Sequence, residues 1–263
     1  RRTSILAADA AGVMPQGVTF VLGDSSLPTA PLQGGSFTVS SVGSAVRQAC
    51  QILRTQILEA LRRQHPEVAT VPVEQIGYGD GFVHAGDQRF SIAEVVAGCE
   101  DGSLEVQVDA EPSSKRSGFA TATHSAVFVE VRVDEDLGTI KVSRVVSAVA
   151  AGRVINPKTA QSQLLGGVVW GLGMALQEDT LTDHNLGRFM NHSLAEYHIP
   201  VHADIREIDA FFVEEEDDIV NDLGSKGVGE IGIVGVAAAV SNAVFHATGK
   251  RVRDFPVTLD KVL

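Results

Sequence analysis

The segment from His124 to Gly152 constrains the fold of this chain more than any other stretch of its sequence. In the run HSAVFVEVRVD, every second residue between Val127 and Val133 is a valine. This alternation predicts a strand with one apolar face, because successive side chains of a strand point to opposite faces. The turn residues Asp136 to Gly138 and the apolar residues that follow from Ile140 predict an antiparallel return strand.

Three further segments carry the apolar spacing of helices. The first helix is expected from about Val42 to Gln64, where Pro66 stops it. The second is expected from about Lys158 to Glu178, with its Trp170 in the core, and the third from about Glu230 to Thr248. The interior of the second helix is rich in glycine, which costs up to about 1 kcal/mol per residue relative to alanine. Such a helix is expected to let another backbone or a ligand approach closely.

Short strands are predicted at Val18–Gly23, on either side of Gly79–Gly81 and at Leu104–Glu111, with a short helix in the run SIAEVVAGC. Strands and helices therefore alternate irregularly, and the hairpins are antiparallel. This order favours an α+β fold with mixed, largely antiparallel sheets and packed helices over a doubly wound parallel sheet. A chain of 263 residues, 44% of them hydrophobic, suffices for one large domain or two small ones, with a possible subdivision near residues 110–120.

Composition argues against several classes of partner. The net charge of −12 disfavours nucleic acids and anionic membrane surfaces, since both are bound through lysine and arginine. No apolar run approaches the roughly 20 residues of a membrane-spanning helix. The histidines His184, His192, His198 and His202 match no usual zinc spacing, so loop histidines are expected there rather than a zinc site.

The run GSKGVGEIGIVGVAAAV contains Gly227, Gly229 and Gly232 in the G-x-G-x-x-G pattern of a dinucleotide-binding turn. That turn requires a buried strand directly before it, whereas the preceding residues are polar and the acidic run 214–218 is expected to be a solvated loop. Glu230, inside the turn, would also repel a phosphate. Two alternatives stay open on the residues alone: Glu230 projects into a cavity as a general base, or it caps the third helix.

Two other segments place small or polar residues at the start of a helix. Gly34, Gly35 and Ser36 precede the first long helix. The polar residues that open the second helix are Arg153, Asn156, Lys158 and Gln163. Helix N-termini attract anions because their first N–H groups lack partners within the helix. Ordinary capping also explains each segment, but three such loops in one chain favour a shared anionic ligand.

Taken together, several longer motifs resemble the molybdenum-binding subunit of the xanthine dehydrogenase/aldehyde oxidoreductase family. They are GGSFTVSSVGSAVRQAC at 34–50, INPKTAQSQLLGGVVWGLGMALQE at 155–178 and KGVGE at 226–230. The runs NHSLAEYHIPVHADI and RDFPVTLDKVL are most similar to the bacterial periplasmic aldehyde oxidoreductase branch. The resemblance covers essentially the whole chain and is to the C-terminal part of that large subunit. The upstream part, with the family's earlier cofactor loops, is expected to be missing.

The resemblance implies a molybdenum-dependent hydroxylase that oxidises aldehydes or purine-type N-heterocycles with oxygen from water. Glu230 matches the glutamate that acts as general base on a molybdenum-bound hydroxyl, while a hydride passes to the Mo=S sulfur. Lys226, Gly227, Val228 and Gly229 match a loop whose backbone holds the pterin, and Gln163 matches a glutamine at the dithiolene end. The residues that match a segment holding the dinucleotide part are Arg153, Val154, Ile155, Asn156, Pro157, Lys158 and Thr159. Gly34, Gly35 and Ser36 match another cofactor loop.

The cofactor that the resemblance implies for a bacterial member is molybdopterin cytosine dinucleotide, whose dithiolene sulfurs hold the molybdenum. The implied partners are the N-terminal part of the same subunit, iron–sulfur and FAD subunits, and a small aldehyde or heterocycle as substrate. The compartment stays open between bacterial cytoplasm and periplasm, because an export signal can reside on a partner subunit. As an isolated fragment, the chain is expected to bind no cofactor and to turn over no substrate. The alternatives are a non-catalytic interaction or assembly module and a nicotinamide-binding domain.

Overall fold

The computed structural model describes residues 2–263, and the chain divides into two compact units. The first unit comprises the residues up to Thr121 together with Asp217–Ser225. The second unit comprises Ala122–Glu216 and Lys226–Leu263. Each unit has an apolar cluster of its own, so that each buries a separate core.

Two helices, α1 (Arg2–Ala11) and α2 (Thr38–Gln64), pack against each other in the first unit. The predicted α2 is confirmed, although it begins earlier than its apolar spacing suggested. It ends at Gln64 because His65 leaves the helical conformation and Pro66 follows. The buried face of α2 joins the apolar cluster of this unit, whose buried members are Ile57, Ala60, Leu61, Val68, Val83, Ala85, Ile92 and Val95.

A three-stranded antiparallel sheet completes this core. It consists of β1 (Ile76–Gly79), β2 (Phe82–Ala85) and β3 (Gln88–Ser91), and the short helix α3 (Ile92–Ala97) follows directly. Asp80 and Gly81 connect β1 to β2 with φ angles of 53° and 82°. Two consecutive positive φ angles are typical of the tight hairpin turns that favour Asp-Gly, so the strands predicted around this turn are confirmed.

The second unit contains the predicted long hairpin, formed by β4 (His124–Asp134) and β5 (Thr139–Ala150). The Asp134 carboxylate accepts the N–H groups of Asp136 and Leu137 at 3.1 and 3.0 Å, which fixes the turn. After β5 come the helix α4 (Pro157–Leu176) and the two-residue strands β6 (Thr182–Asp183) and β7 (Arg188–Phe189). Strand β8 (Ile208–Phe212) then pairs with β5 in parallel, giving the sheet order β4-β5-β8. The predicted α+β class with mixed sheets is confirmed.

Helices α4 and α5 (Val236–Thr248) pack on one face of this sheet. The valines predicted to share a face of β4 lie against the cluster that both helices build, whose helical members are Val168, Leu172, Ala175, Val236, Val240 and Val244. The glycines of α4 bring the two helices together: a Cβ added at Gly171 would lie 2.5 Å from the Cβ of Val236. The expected close approach along this helix is confirmed.

Four details of the sequence-based prediction are wrong. No strand forms at Val18–Gly23 or at Leu104–Glu111, because neither segment pairs with a neighbouring strand of residues 2–263. Trp170 is not in the core, since 55% of it is exposed on α4. The third predicted helix, α5, begins at Val236 and not at Glu230.

Candidate active site

The loop from Lys226 to Gly229 is tied to the ends of both long strands of the second unit. The backbone N–H of Lys226 donates to the carbonyl of Ala151, just beyond β5, at 3.0 Å. The hydroxyl of Thr123, just before β4, donates to the carbonyl of Gly227 at 2.8 Å. Since β4 and β5 are paired along their whole length, these bonds anchor the loop to the most regular part of the unit.

An ion pair reinforces this attachment. The Nζ of Lys226 lies 2.6 Å from Oε1 of Glu215, and the side chains are only 7% and 29% exposed. The second oxygen, Oε2 of Glu215, accepts the N–H of Gly152 at 2.7 Å. Glu215 belongs to the acidic run that was expected to be a solvated loop, and for this residue the expectation is wrong. Its carboxylate is engaged because Lys226, although eleven positions away in the sequence, is its neighbour in the structure.

Apolar and backbone contacts hold the residues that follow. Val228 and Ile231 pack on a small cluster of the second unit that contains Leu164 of α4. At Gly232 the backbones nearly touch, because an added Cβ would lie 2.7 Å from the carbonyl oxygen of Leu164 and 3.1 Å from the Cα of Gly167. Gly232, the last glycine of the G-x-G-x-x-G pattern, therefore allows its backbone to pack against the backbone of α4.

Glu230 lies in a series of turns that precede α5. Its carbonyl accepts the N–H of Ile233 at 3.1 Å, and the carbonyl of Ile233 accepts the N–H of Val236 at 3.2 Å. Gly235 then takes a left-handed φ of 86°, which interrupts the helical path and delays the helix to Val236. Glu230 is therefore not the cap of this helix, and its side chain is exposed.

The segment predicted to hold the dinucleotide part runs into α4. The Asn156 side chain accepts the N–H of Thr159 at 3.2 Å and so caps the helix, while Pro157 occupies the first helical position. Both residues favour a helix start on local grounds alone. Arg153 and Lys158 are exposed beside this start, and Gln163 is half-buried further along α4.

Gly34, Gly35 and Ser36 lie in the first unit, whereas every other predicted site residue lies in the second. Gly35 and Ser36 have positive φ angles of 55° and 62°. The helix that follows, α2, has no side-chain cap at Phe37, and the nearby hydroxyls of Ser40 and Ser41 donate to the Phe37 carbonyl. The Phe37 side chain therefore does not cap α2, whereas the Asn156 side chain caps α4.

Sequence reasoning missed three residues of this site. Glu215 and Thr123 fix the Lys226–Gly229 loop, and the Gln161 side-chain amide donates to the carbonyl of Ala210, which ties α4 to β8. Thr123 and Glu215 lie outside the motifs that carry the resemblance, and Gln161, although it lies within the motif 155–178, was given no role there. Only the pairing of distant segments reveals them, since each acts on a residue far away in the sequence.

Comparison with known proteins identifies the family. The model of the molybdopterin cofactor-binding domain matches residues 3–206. The chain belongs to this family. The membership predicted from the sequence motifs is therefore confirmed. The alternative of a nicotinamide-binding domain is not supported. No strand of the described residues directly precedes Gly227, since β8 ends at Phe212.

Similar proteins agree with this assignment. The chain is 40% identical to the aldehyde oxidoreductase molybdenum-binding subunit PaoC of Escherichia coli over 98% of its length, but it covers only 34% of that protein. The quinoline 2-oxidoreductase of Pseudomonas putida has the same fold, with a TM-score of 0.80 and 22% identity over 99% of this chain and 34% of that one. The aldehyde oxidoreductase of Desulfovibrio desulfuricans gives a TM-score of 0.73 and 25% identity over 99% of this chain and 26% of that one. The chain thus spans about a third of the length of the relatives it matches.

No helix within residues 2–263 is long and apolar enough to cross a membrane. The same range contains no cluster of three or more histidine, cysteine or acidic side chains that is able to hold a metal ion.

Proposed function

We propose that this chain is the C-terminal part of the large subunit of a molybdenum-dependent hydroxylase and that it supplies the catalytic base, Glu230. The proposal rests on family membership together with one structural observation. The loop that leads to Glu230 is fixed by Glu215, Thr123 and Ala151, while Glu230 itself is exposed. A carboxylate on a well-held loop suits a general base, because a base acts only when it reaches the proton that it removes.

The residues present fit an anionic pterin dinucleotide. Exposed Arg153 and Lys158 bring positive charge to the start of α4. The N-terminus of α2, where the Phe37 side chain provides no cap, favours a phosphate as any helix N-terminus does. The Asn156 cap and Pro157 make the α4 N-terminus a weaker anion site than the sequence suggested. In this proposal, phosphate binding near α4 depends on the side chains of Arg153 and Lys158, and binding near α2 depends on the backbone.

The proposed cofactor is molybdopterin cytosine dinucleotide, held by Gly34–Ser36, Arg153–Thr159, Gln163 and Lys226–Gly229. When bound, it supplies two-electron oxidation of an aldehyde or N-heterocycle with oxygen taken from water. The contribution of this chain is to hold the pterin through the backbone of the Lys226–Gly229 loop and to accept a proton on the Glu230 carboxylate. Iron–sulfur and FAD subunits are the proposed partners that would accept the electrons. The upstream part of the subunit completes the cavity, so the 263-residue chain alone is expected to bind no cofactor and to be inactive.

The test is Glu230→Gln in the full-length subunit, assembled with its partners. Turnover of the aldehyde or N-heterocycle that the wild-type enzyme oxidises should fall by at least about 100-fold, which is the lower range for the loss of a general base. Molybdenum and the cytosine nucleotide released from the cofactor should remain at the wild-type ratio. Glu216→Gln is the matched control, because Glu216 is an exposed glutamate that belongs to the same unit.

Near-normal turnover by Glu230→Gln with cofactor bound would remove this residue from the mechanism. Loss of molybdenum from the variant would assign Glu230 to cofactor binding and would equally contradict the proposed role. A cofactor that releases no cytosine nucleotide would refute the dinucleotide assignment without touching the role of Glu230.

A further inference from the structure

Glu215 connects two segments that are separate in the sequence and adjacent in the structure. One carboxylate oxygen contacts Lys226 at 2.6 Å, and the other accepts the N–H of Gly152 at 2.7 Å. Lys226 opens the loop that leads to Glu230, and Gly152 directly precedes the segment Arg153–Thr159. We propose that Glu215 is a positioning residue that sets these two segments relative to each other for the reaction. The inference rests on the proposed function.

The chain brings Glu215 to this place through the sheet. Strand β8 runs parallel to β5, with Phe212 opposite Val149, and the N–H of Val213 continues the ladder by donating to the carbonyl of Val149 at 2.8 Å. Glu215 follows two residues later, at the end of β5 where Gly152 lies. Its neighbours Glu214 and Glu216 are both exposed, so one member of the acidic run turns inward and the flanking two stay in solvent.

The chemistry of this position requires a carboxylate. Gly152 is buried and has a φ of 62°, so its N–H leaves the regular ladder of β5 and needs another acceptor. The ammonium of Lys226 is nearly buried and needs a negative partner. An ionised glutamate offers two acceptor oxygens, whereas glutamine replaces one of them with an NH₂ donor. Glu215→Gln therefore leaves either the Gly152 N–H or the Lys226 ammonium facing another donor.

Glu215 does not act on the substrate in this scheme. Its effect passes through the backbone of Lys226 and Gly227, which also bond to Ala151 and Thr123. Glu230 lies only three residues beyond Gly227. A shift of this loop displaces the proposed base relative to the segment Arg153–Thr159, and misplacement by about 1 Å is enough to cost on the order of 100-fold in rate.

The experiment compares Glu215→Gln with Glu216→Gln in the full-length subunit, assembled with its partners. Hydrogen–deuterium exchange of peptides that contain Gly152 and Lys226 should become about tenfold faster in Glu215→Gln and stay unchanged in Glu216→Gln. The kcat for the aldehyde or N-heterocycle that the wild-type enzyme oxidises, divided by bound molybdenum, should fall by about 10- to 100-fold, while KM changes little. A purely structural role would lower the cofactor content or the unfolding temperature and leave kcat per molybdenum intact.

Unchanged exchange at both segments would overturn the proposal, and so would unchanged kcat per molybdenum when exchange is faster. If Glu215→Gln does not accumulate, Glu215→Asp replaces it, because aspartate keeps the charge but is one methylene too short to reach both donors. That variant should speed exchange at one of the two segments and lower kcat per molybdenum. The exchange measurement does not depend on Glu230. If Glu230→Gln shows that Glu230 is not the general base, the exchange result for Glu215 remains valid, so the two failures are distinguishable.

Discussion

The loop from Lys226 to Gly229 in the second unit and the loop from Gly34 to Ser36 in the first unit are both predicted from the sequence to hold one cofactor. Their structures differ. The first of these loops is fastened by an ion pair, by hydrogen bonds to Ala151 and Thr123, and by an adjoining backbone contact with α4. In the Gly34–Ser36 loop, Gly35 is exposed, and an added Cβ at Gly34 would meet only the flexible side chain of Leu32, at 3.8 Å.

This difference matches the work proposed for each loop. A loop that carries a reacting carboxylate gains from being fixed before the substrate arrives, because every hydrogen bond already made is one that the reaction need not form. A loop that only receives a phosphate group at a helix N-terminus is able to take its final shape from the ligand. The ion pair and hydrogen bonds at Lys226–Gly229 thus accompany the role proposed for the loop that leads to Glu230, although both loops are rich in glycine.

The largest effect expected is that of Gly167→Ala. The added Cβ would lie 2.7 Å from the backbone of Gly232, so α4 and the turns after Glu230 have to separate. We expect a loss of about 3 kcal/mol in the free energy of unfolding, since overpacking against backbone leaves no side chain to move aside. Gly166→Ala is the control: this neighbouring glycine has nothing within 4 Å of an added Cβ, and alanine there should stabilise α4 by about 0.5–1 kcal/mol.

Urea unfolding measures the change in the free energy of unfolding of both variants directly. Equal effects of Gly166→Ala and Gly167→Ala would show that the close contact with Gly232 is absent. The turns after Glu230 would then lack their backbone contact with α4, and the loop would be held by the ion pair and hydrogen bonds alone.

A smaller effect is expected at the open loop. Gly35 has a φ of 55°, and an added Cβ would lie 3.1 Å from the ring of Phe37. Gly35→Ala should therefore lower the free energy of unfolding by about 1–2 kcal/mol, which is the usual penalty for alanine in the left-handed backbone conformation. Gly34→Ala, at a glycine without a positive φ, should be neutral within about 0.5 kcal/mol. A cost at Gly34 as large as that at Gly35 would show that this loop is packed and not open.

The smallest effect expected is that of Thr123→Val, which removes the hydroxyl that donates to the Gly227 carbonyl. The free energy of unfolding should fall by about 1 kcal/mol, which is the typical contribution of a hydrogen bond. Hydrogen exchange should accelerate in peptides that cover Lys226–Gly229 and stay unchanged around Gly34–Ser36. Thr139→Val, at an exposed position that begins β5, controls for the loss of a threonine hydroxyl. Equal decreases in unfolding temperature for Thr123→Val and Thr139→Val would contradict an anchoring role for Thr123.

Much of this protein follows from its sequence alone. The valine alternation in β4, the Asp-Gly turn between β1 and β2 and the glycines of α4 each report a local requirement: a half-buried face, a positive φ or a close helix contact. Such requirements involve residues within a few positions of each other, so they predicted the hairpin, the helices and the α+β class. The combination of motifs also predicted the family, which the comparisons confirm.

Only the tertiary structure decided the rest. The exposure of Trp170 and the engagement of Glu215 by Lys226 and Gly152 both depend on segments far apart in the sequence. An acidic run looks the same in the sequence whether all its members are solvated or one of them pairs with a buried lysine. The physical reason is that burial and pairing are properties of neighbours in space, and for Glu215 those neighbours are set by the parallel pairing of β8 with β5.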